Sequence, residues 1–295
     1  MTAITVIAIL AAAATIYGFV AMDSCERVKV APKGKKKKYQ VQEVPETGIL
    51  FMVIMAVALI VRYIAAAKYF GNETDMNCFI AWGDMIFKDG IGNFYSSDSF
   101  TDYPPGYMYI LYMVGAIRHV LGVAWNSTLS VMLTKTPAII ADLATAYLLF
   151  RIAGKRWTQK GAGILTAIYL FAPAVLLDGA IWGQTDAVFT FFVVLMIYLV
   201  TERKLIPSYF VFAVAVLVKP QSLIFTPVLI YGIIDQVFLD GFDWKNFWKN
   251  LGLGLAAIAM IALLMLPFGF KDALSQYTEL SLIHISEPTR LGMIS

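Results

Sequence analysis

The motif Asp102-Tyr103-Pro104-Pro105-Gly106-Tyr107 sets an acidic and an aromatic side chain beside two prolines. The prolines fix φ and suit the mouth of a helix. A carboxylate and a ring held rigidly there can grip a sugar, the ring stacking on its face and the carboxylate accepting from its hydroxyls. Upstream, Glu73-Thr74-Asp75-Met76-Asn77-Cys78-Phe79-Ile80-Ala81-Trp82 places Asp75 ahead of apolar residues at helical spacing. Asp75 is either a helix N-cap, a role that contributes about 1 kcal/mol, or a carboxylate with a chemical task. Two further motifs, Trp182-Gly183-Gln184-Thr185-Asp186 (with Asp178 just before it) and Lys219-Pro220-Gln221, interrupt apolar runs. Polar groups at membrane depth are costly and tend to be functional, whereas at the interface the cost falls. A lysine at a helix end ordinarily snorkels to the surface. Asp142, inside an apolar stretch, is expected to be buried and to pair with Lys135 or Arg151. Only His119 and His284 are available to a metal site or a Ser-His-Asp triad, too little material for either.

The elements that must position these motifs are membrane helices. Of 295 residues, 59% are hydrophobic and 15% charged, and the mean hydropathy is +0.72, well to the apolar side of soluble proteins. Runs near the length needed to cross about 30 Å of hydrocarbon recur: Ala3 to Met22, Ile49 to Tyr69, Gly106 to Val123, Leu129 to Ala153, Gly161 to Ile181, Ala187 to Thr201, Ile206 to Val218, Ser222 to Phe238 and Leu251 to Phe270. The expected fold is all-α, a polytopic bundle of about nine membrane helices. Ala187 to Thr201 and Ile206 to Val218 are short for a span. The first run lacks a basic leader and reads as a retained helix.

Lys33-Gly34-Lys35-Lys36-Lys37-Lys38 is the densest basic run and marks a cytoplasmic segment. Gly71 to Tyr103 then forms one large extracytoplasmic loop. Phe79, Trp82 and Ile86 give it an amphipathic helix expected to lie in the interface with Trp82 at headgroup depth. Basic clusters at Lys155 to Lys160, Glu202 to Lys204 and Lys245 to Lys249 put Trp182 to Asp186, Lys219 to Gln221 and Pro267 to Asp272 on the same outer side. One conflict remains, since two apolar stretches separate Tyr103 from Lys155 where an odd number of crossings is required. Cys25 and Cys78 fall on opposite sides of a span and are not expected to pair.

Leu280 to Arg290 reads LSLIHISEPTR, which resembles the translated adapter of transposase-based sequencing libraries. Leu280 to Ser295 is therefore expected to be foreign, with the natural chain continuing past Glu279. The expected organisation is residues 1–48 as an N-terminal helix and basic loop, 49–279 as the functional membrane module, and 280–295 as the tail.

Taken in order, Asp75 with Trp82, Asn93-Phe94-Tyr95, Asp102-Tyr103-Pro104-Pro105, Trp182 to Asp186 and Val218-Lys219-Pro220-Gln221 resemble the GT-C superfamily of membrane glycosyltransferases. The nearest likeness is to bacterial relatives of the GPI-anchor mannosyltransferases. It covers about Ile49 to Phe270, and the chain differs in an extra N-terminal helix and a missing C-terminal part. The resemblance implies transfer of a hexose, mannose first, from a polyprenyl-phosphate-sugar to an acceptor hydroxyl of a glycan, lipid or protein on the extracytoplasmic face of the cell membrane. Asp75 would be the base and Lys219 the phosphate-binding cation, assisted by Gln184 and Gln221. Asp102, Tyr103, Trp82 and Asp186 would bind substrate. No metal, cofactor or nucleic acid is implied. A transporter or flippase of lipid-linked sugars is the alternative, and a non-catalytic membrane scaffold a further one.

Overall fold

The computed structural model describes residues 48–95, 101, 103–239 and 241–275. The expected helix Ala3 to Met22, the basic run, Cys25, Asp102 and the tail from Leu280 lie outside them. Among the described residues every regular element is helical, with one isolated bridge between Leu239 and Gly241. The helices are α1 Ile49–Lys68, α2 Glu73–Asp89, α3 Pro105–Val120, α4 Thr128–Ala153, α5 Gln159–Leu170, α6 Asp186–Thr201, α7 Leu205–Val218, α8 Thr226–Val237 and α9 Trp244–Met265. A π-helical segment, Leu176–Trp182, lies between α5 and α6.

Local chemistry sets many boundaries. Pro105 occupies the first turn of α3, where its missing N–H costs nothing. Ser127 caps α4 by accepting from the Ser130 amide at 3.2 Å, and Asp243 caps α9 by accepting from the Lys245 and Asn246 amides. Lys219 ends α7 in extended backbone, as a residue before proline must.

Of the nine expected spans, the described residues show fewer that are long and apolar enough by themselves. Among the described residues, three helical stretches are long and apolar enough to cross a membrane, Ile49–Lys68, Thr128–Ala153 and Trp244–Phe268. A fourth arises if Gln159–Leu170 and Pro173–Trp182, bent by 50°, act as one span. Pro173 opens the second arm of that pair and lacks the N–H that a continuous helix would need. With 16 residues, α3 reaches about 24 Å, short of about 30 Å of hydrocarbon. Between Tyr103 and Lys155, α4 is the helix that is long and apolar enough by itself.

The described residues group into two compact units. The first takes in residues 48–72 and 138–187, the second 73–137 and 188–275. In the first, α1 packs on α5 and on the π-helical segment. Its apolar clusters are Phe51, Phe150, Ala153 and Ala162, Ala58, Ala146 and Leu170, and Ala65, Leu176, Ala180 and Ile181. The opposite side of α1 exposes Met52, Ile60 and Ile64, which suits lipid rather than water.

In the second unit, α2 and α3 cross at two glycines. A Cβ on Gly115 would strike the Gly83 backbone, and one on Gly83 would lie 2.9 Å from the Leu111 carbonyl oxygen. This close approach buries Met76, Phe79, Ile80, Trp82 and Ile86 of α2 within the protein. The apolar face expected to lie in the interface, with Trp82 at headgroup depth, is instead packed on α3, and Trp82 is buried in protein. A separate core joins Met196 and Val200 of α6, Tyr209, Phe212 and Val216 of α7, Leu229 of α8 and Ala257 of α9.

Candidate functional site

The second unit gathers five of the expected site residues, Asp75, Trp82, Tyr103, Lys219 and Gln221. Phe79 and Trp82 on α2 meet Tyr103 and Tyr107 at the mouth of α3. Ring centroids are 5.6 Å apart for Phe79 and Tyr103, 5.7 Å for Phe79 and Tyr107, and 5.9 Å for Trp82 and Tyr103. Such tilted and edge-on pairs add about 0.5–1.5 kcal/mol each beyond area burial. Tyr103 keeps partial exposure and is held from behind, where the Tyr95 hydroxyl donates to its carbonyl at 2.9 Å. Tyr95 in turn packs on Phe268, 5.6 Å away.

The same helix mouth abuts the end of α7. A Cβ on Gly106 would lie 2.6 Å from the Leu217 carbonyl and the Val218 nitrogen, so only glycine admits this contact. Lys219 follows directly, half-buried, with Nζ 5.3 Å from the Phe189 ring centroid. Gln221 is exposed. Asp75 lies in the first turn of α2, one turn ahead of Phe79. Because α2 begins at Glu73, Asp75 is not the N-cap; its charge there complements the helix dipole.

A buried polar cluster sits farther along α2 and α3. Arg118 Nη1 donates to Asp84 Oδ1 at 2.9 Å, and the guanidinium lies 5.8 Å from the Trp125 ring centroid. The His119 ring stacks on Phe87 at 4.6 Å, with Nε2 3.2 Å from Asp84 Oδ1.

The first unit holds Gln184 and Asp186. The π-helical segment closes on Gly183 in the left-handed region, φ +93°, and both the Gly183 and Gln184 amides donate to the Asp178 carbonyl, at 3.0 and 3.1 Å. The Asn72 amide donates to the Trp182 carbonyl at 3.1 Å. Gly71, φ +102°, lies so close to that carbonyl that a side chain would strike it. Thr185 is fully buried and Trp182 exposed.

Beside this turn is an ionic network that the sequence reading did not identify. Arg62 Nε donates to Asp142 Oδ2 at 3.1 Å and Nη2 to the Leu170 carbonyl at 2.8 Å. The Tyr169 hydroxyl lies 3.4 Å from Asp142 Oδ1. Asp142 therefore pairs with Arg62, a partner the sequence did not suggest; the Arg151 guanidinium donates to the Tyr147 hydroxyl. A charge in the middle of an apolar run was the available signal for Arg62.

Apolar helices long enough to span, an unpaired apolar side on α1 and buried ion pairs define a multi-pass integral membrane protein. The family model described as GPI transamidase subunit PIG-U matches residues 83–291, more than two thirds of the chain. The chain belongs to that family. No match was found among curated proteins.

Membership corrects the expected activity. The family is defined by a subunit of a transamidase, which exchanges one amide bond for another, so transfer of a hexose from a polyprenyl-phosphate donor does not describe this protein. The polyprenyl-phosphate-sugar loses its support as a partner with it. A mannosyltransferase of the GT-C type is not confirmed, although the link to the GPI anchor that the resemblance carried is kept.

Proposed function

We propose that this chain is a non-catalytic membrane subunit that holds the glycan of a GPI anchor for a transamidase whose nucleophile belongs to another subunit. The family match over residues 83–291 carries the reading. Geometry among the described residues, which include Cys78 and His119, agrees with the non-catalytic part. A cysteine-type transamidation needs a base within hydrogen-bond reach of the thiol, yet His119 is stacked on Phe87, nine residues and about 13 Å along α2 from Cys78. The scaffold alternative, which by itself left the grouping of polar motifs without a purpose, acquires one as a substrate-holding surface.

In this reading Trp82 and Phe79 rigidify Tyr103, whose open side stacks on a sugar ring. Asp75 and Asp102 accept from glycan hydroxyls, and Lys219 with Gln221 attracts a phosphate of the anchor. No cofactor of the chain's own is required. The positive-inside rule, applied to Lys33 to Lys38, assigns these groups to the extracytoplasmic face, and the chain needs partner subunits and membrane lipids to act.

The test is reconstitution of the transamidase with and without this subunit, scoring complex assembly, capture of a GPI glycolipid and protein attachment separately. Tyr103→Ala is expected to lower GPI capture about tenfold, the loss of one stacking contact worth about 1–1.5 kcal/mol, with assembly unchanged. Sugar transfer by the purified chain alone, or undiminished GPI capture in its absence, would refute the reading.

A further inference from the structure

In the second unit α9 runs into a short 3-10 turn, Leu266–Phe268, that contains Pro267. Proline supplies no N–H to the end of a helix, and the last carbonyls of a helix take their partners from elsewhere. Tyr109 of α3 provides one, its hydroxyl donating to the Leu264 carbonyl at 2.8 Å. Beside that bond the Phe268 ring is fully buried, 5.0 Å from the Tyr109 ring centroid and nearly perpendicular to it. The turn Ile91–Asn93 lies against the same place, since a Cβ on Gly92 would lie 3.5 Å from the Pro267 carbonyl oxygen.

Phe268 thereby meets the chain that leads to Tyr103. Its ring centroid is 5.6 Å from that of Tyr95 and 6.5 Å from that of Phe94, and the buried Phe94 ring stands edge-on to Tyr95 at 4.9 Å. Two buried rings thus hold a third, whose hydroxyl donates to the Tyr103 carbonyl at 2.9 Å. Phe79, Trp82 and Tyr107 pack on the Tyr103 ring, while Tyr95 holds its main chain.

We propose that Phe268 is a positioning residue of the glycan site: it wedges the Tyr95 ring in place, and through the Tyr95 hydroxyl it sets the orientation in which Tyr103 offers its open face to a sugar. The inference rests on the substrate-holding reading of Tyr103. Being fully buried, Phe268 touches no ligand and acts only through its neighbours. A ligand that needs one orientation of a ring binds in proportion to the fraction of molecules that hold it. If loss of the wedge lowers that fraction to between about a third and a tenth, affinity falls about three- to tenfold. The loss is bounded by what removal of the Tyr103 ring itself costs.

The experiment measures the dissociation constant of a GPI glycolipid for the transamidase assembled with the full-length subunit carrying Phe268→Leu, Tyr103→Ala or both. Leucine keeps an apolar side chain and removes the ring contacts. Phe268→Leu is expected to weaken capture about three- to tenfold with assembly retained, and to add nothing on top of Tyr103→Ala. Such non-additivity marks two residues that act on one contact, whereas a merely structural loss would act equally in both backgrounds. Tyr95→Phe, which deletes the hydroxyl and leaves the ring, is the second variant and should show the same dependence on Tyr103 even where Phe268→Leu weakens assembly. Equal losses with and without the Tyr103 ring, or capture unchanged by both Phe268→Leu and Tyr95→Phe, would overturn the proposal. An inert Tyr103→Ala would overturn the substrate-holding reading and the proposal with it, an outcome read separately from the single variant.

Discussion

Arg62 Nε and Asp142 Oδ2 lie 3.1 Å apart, with both side chains buried and 80 positions between them in the chain. The pair ties α1 to α4, and the Leu170 carbonyl extends it to α5. Breaking a buried pair from one side costs about 3–5 kcal/mol because the surviving charge has no solvent, while replacing both partners by apolar residues is often neutral. Asp142→Ala should therefore lower the unfolding midpoint in detergent sharply, and Arg62→Met with Asp142→Leu should recover most of the loss. A double variant as unstable as the single one would show that the charges do more than satisfy each other.

The crossing of α2 and α3 gives a paired comparison of glycines. Gly115→Ala is expected to destabilise by about 1–3 kcal/mol, since its Cβ meets backbone that cannot move aside. Gly252→Ala on α9, where nothing lies within 4 Å, should instead stabilise by about 0.5–1 kcal/mol through helix propensity. Thermal unfolding of the two variants measures both signs, and a stabilised Gly115→Ala would contradict the close crossing.

Tyr95 supplies a pH dependence. Burial raises its pKa above the ordinary phenol value, so the folded state favours the neutral form that donates to Tyr103. The corresponding stability is fully present below the unfolded pKa of about 10 and declines as pH rises above it. Tyr95→Phe removes the donor, should cost about 1 kcal/mol, and should flatten the alkaline decline. A phenolate absorbance titration provides the direct check: an ordinary midpoint for Tyr95 would mean that its hydroxyl is not held.

Asp75 separates substrate holding from helix electrostatics. Asp75→Asn removes a first-turn charge worth about 0.3–1 kcal/mol to α2, so the fold should survive. The amide keeps its acceptor oxygen, and GPI capture should fall only a few-fold. A loss above about 100-fold, the scale of a missing general base, would give Asp75 a chemical role that the substrate-holding reading lacks.

The tail has its own test. Independent sequencing of the source gene should show residues other than Leu280 to Ser295 after Glu279. The family match runs to residue 291, and recovery of LSLIHISEPTR in an intact frame would make that segment native.

Much of the architecture was legible in the sequence because it depends on neighbours in the chain. Apolar runs announced α1, α4 and α9; Pro105 marked the start of α3, and Pro220 the end of α7. These follow from backbone hydrogen bonding and proline sterics, which act over a few residues. Tertiary structure alone decided that α2 buries Trp82 against α3, because an amphipathic period states that a face is apolar but not whether lipid or protein covers it. It alone revealed Arg62, 80 positions away in the chain, as a partner of Asp142. It also turned Gly161 to Ile181 from one expected span into two arms bent by 50°. An apolar groove lined by Tyr209 of α7, Ile233 of α8 and Gly254 of α9 was hidden for the same reason: it is bounded by three helices, and the space one glycine leaves has no signature until the other two are in place.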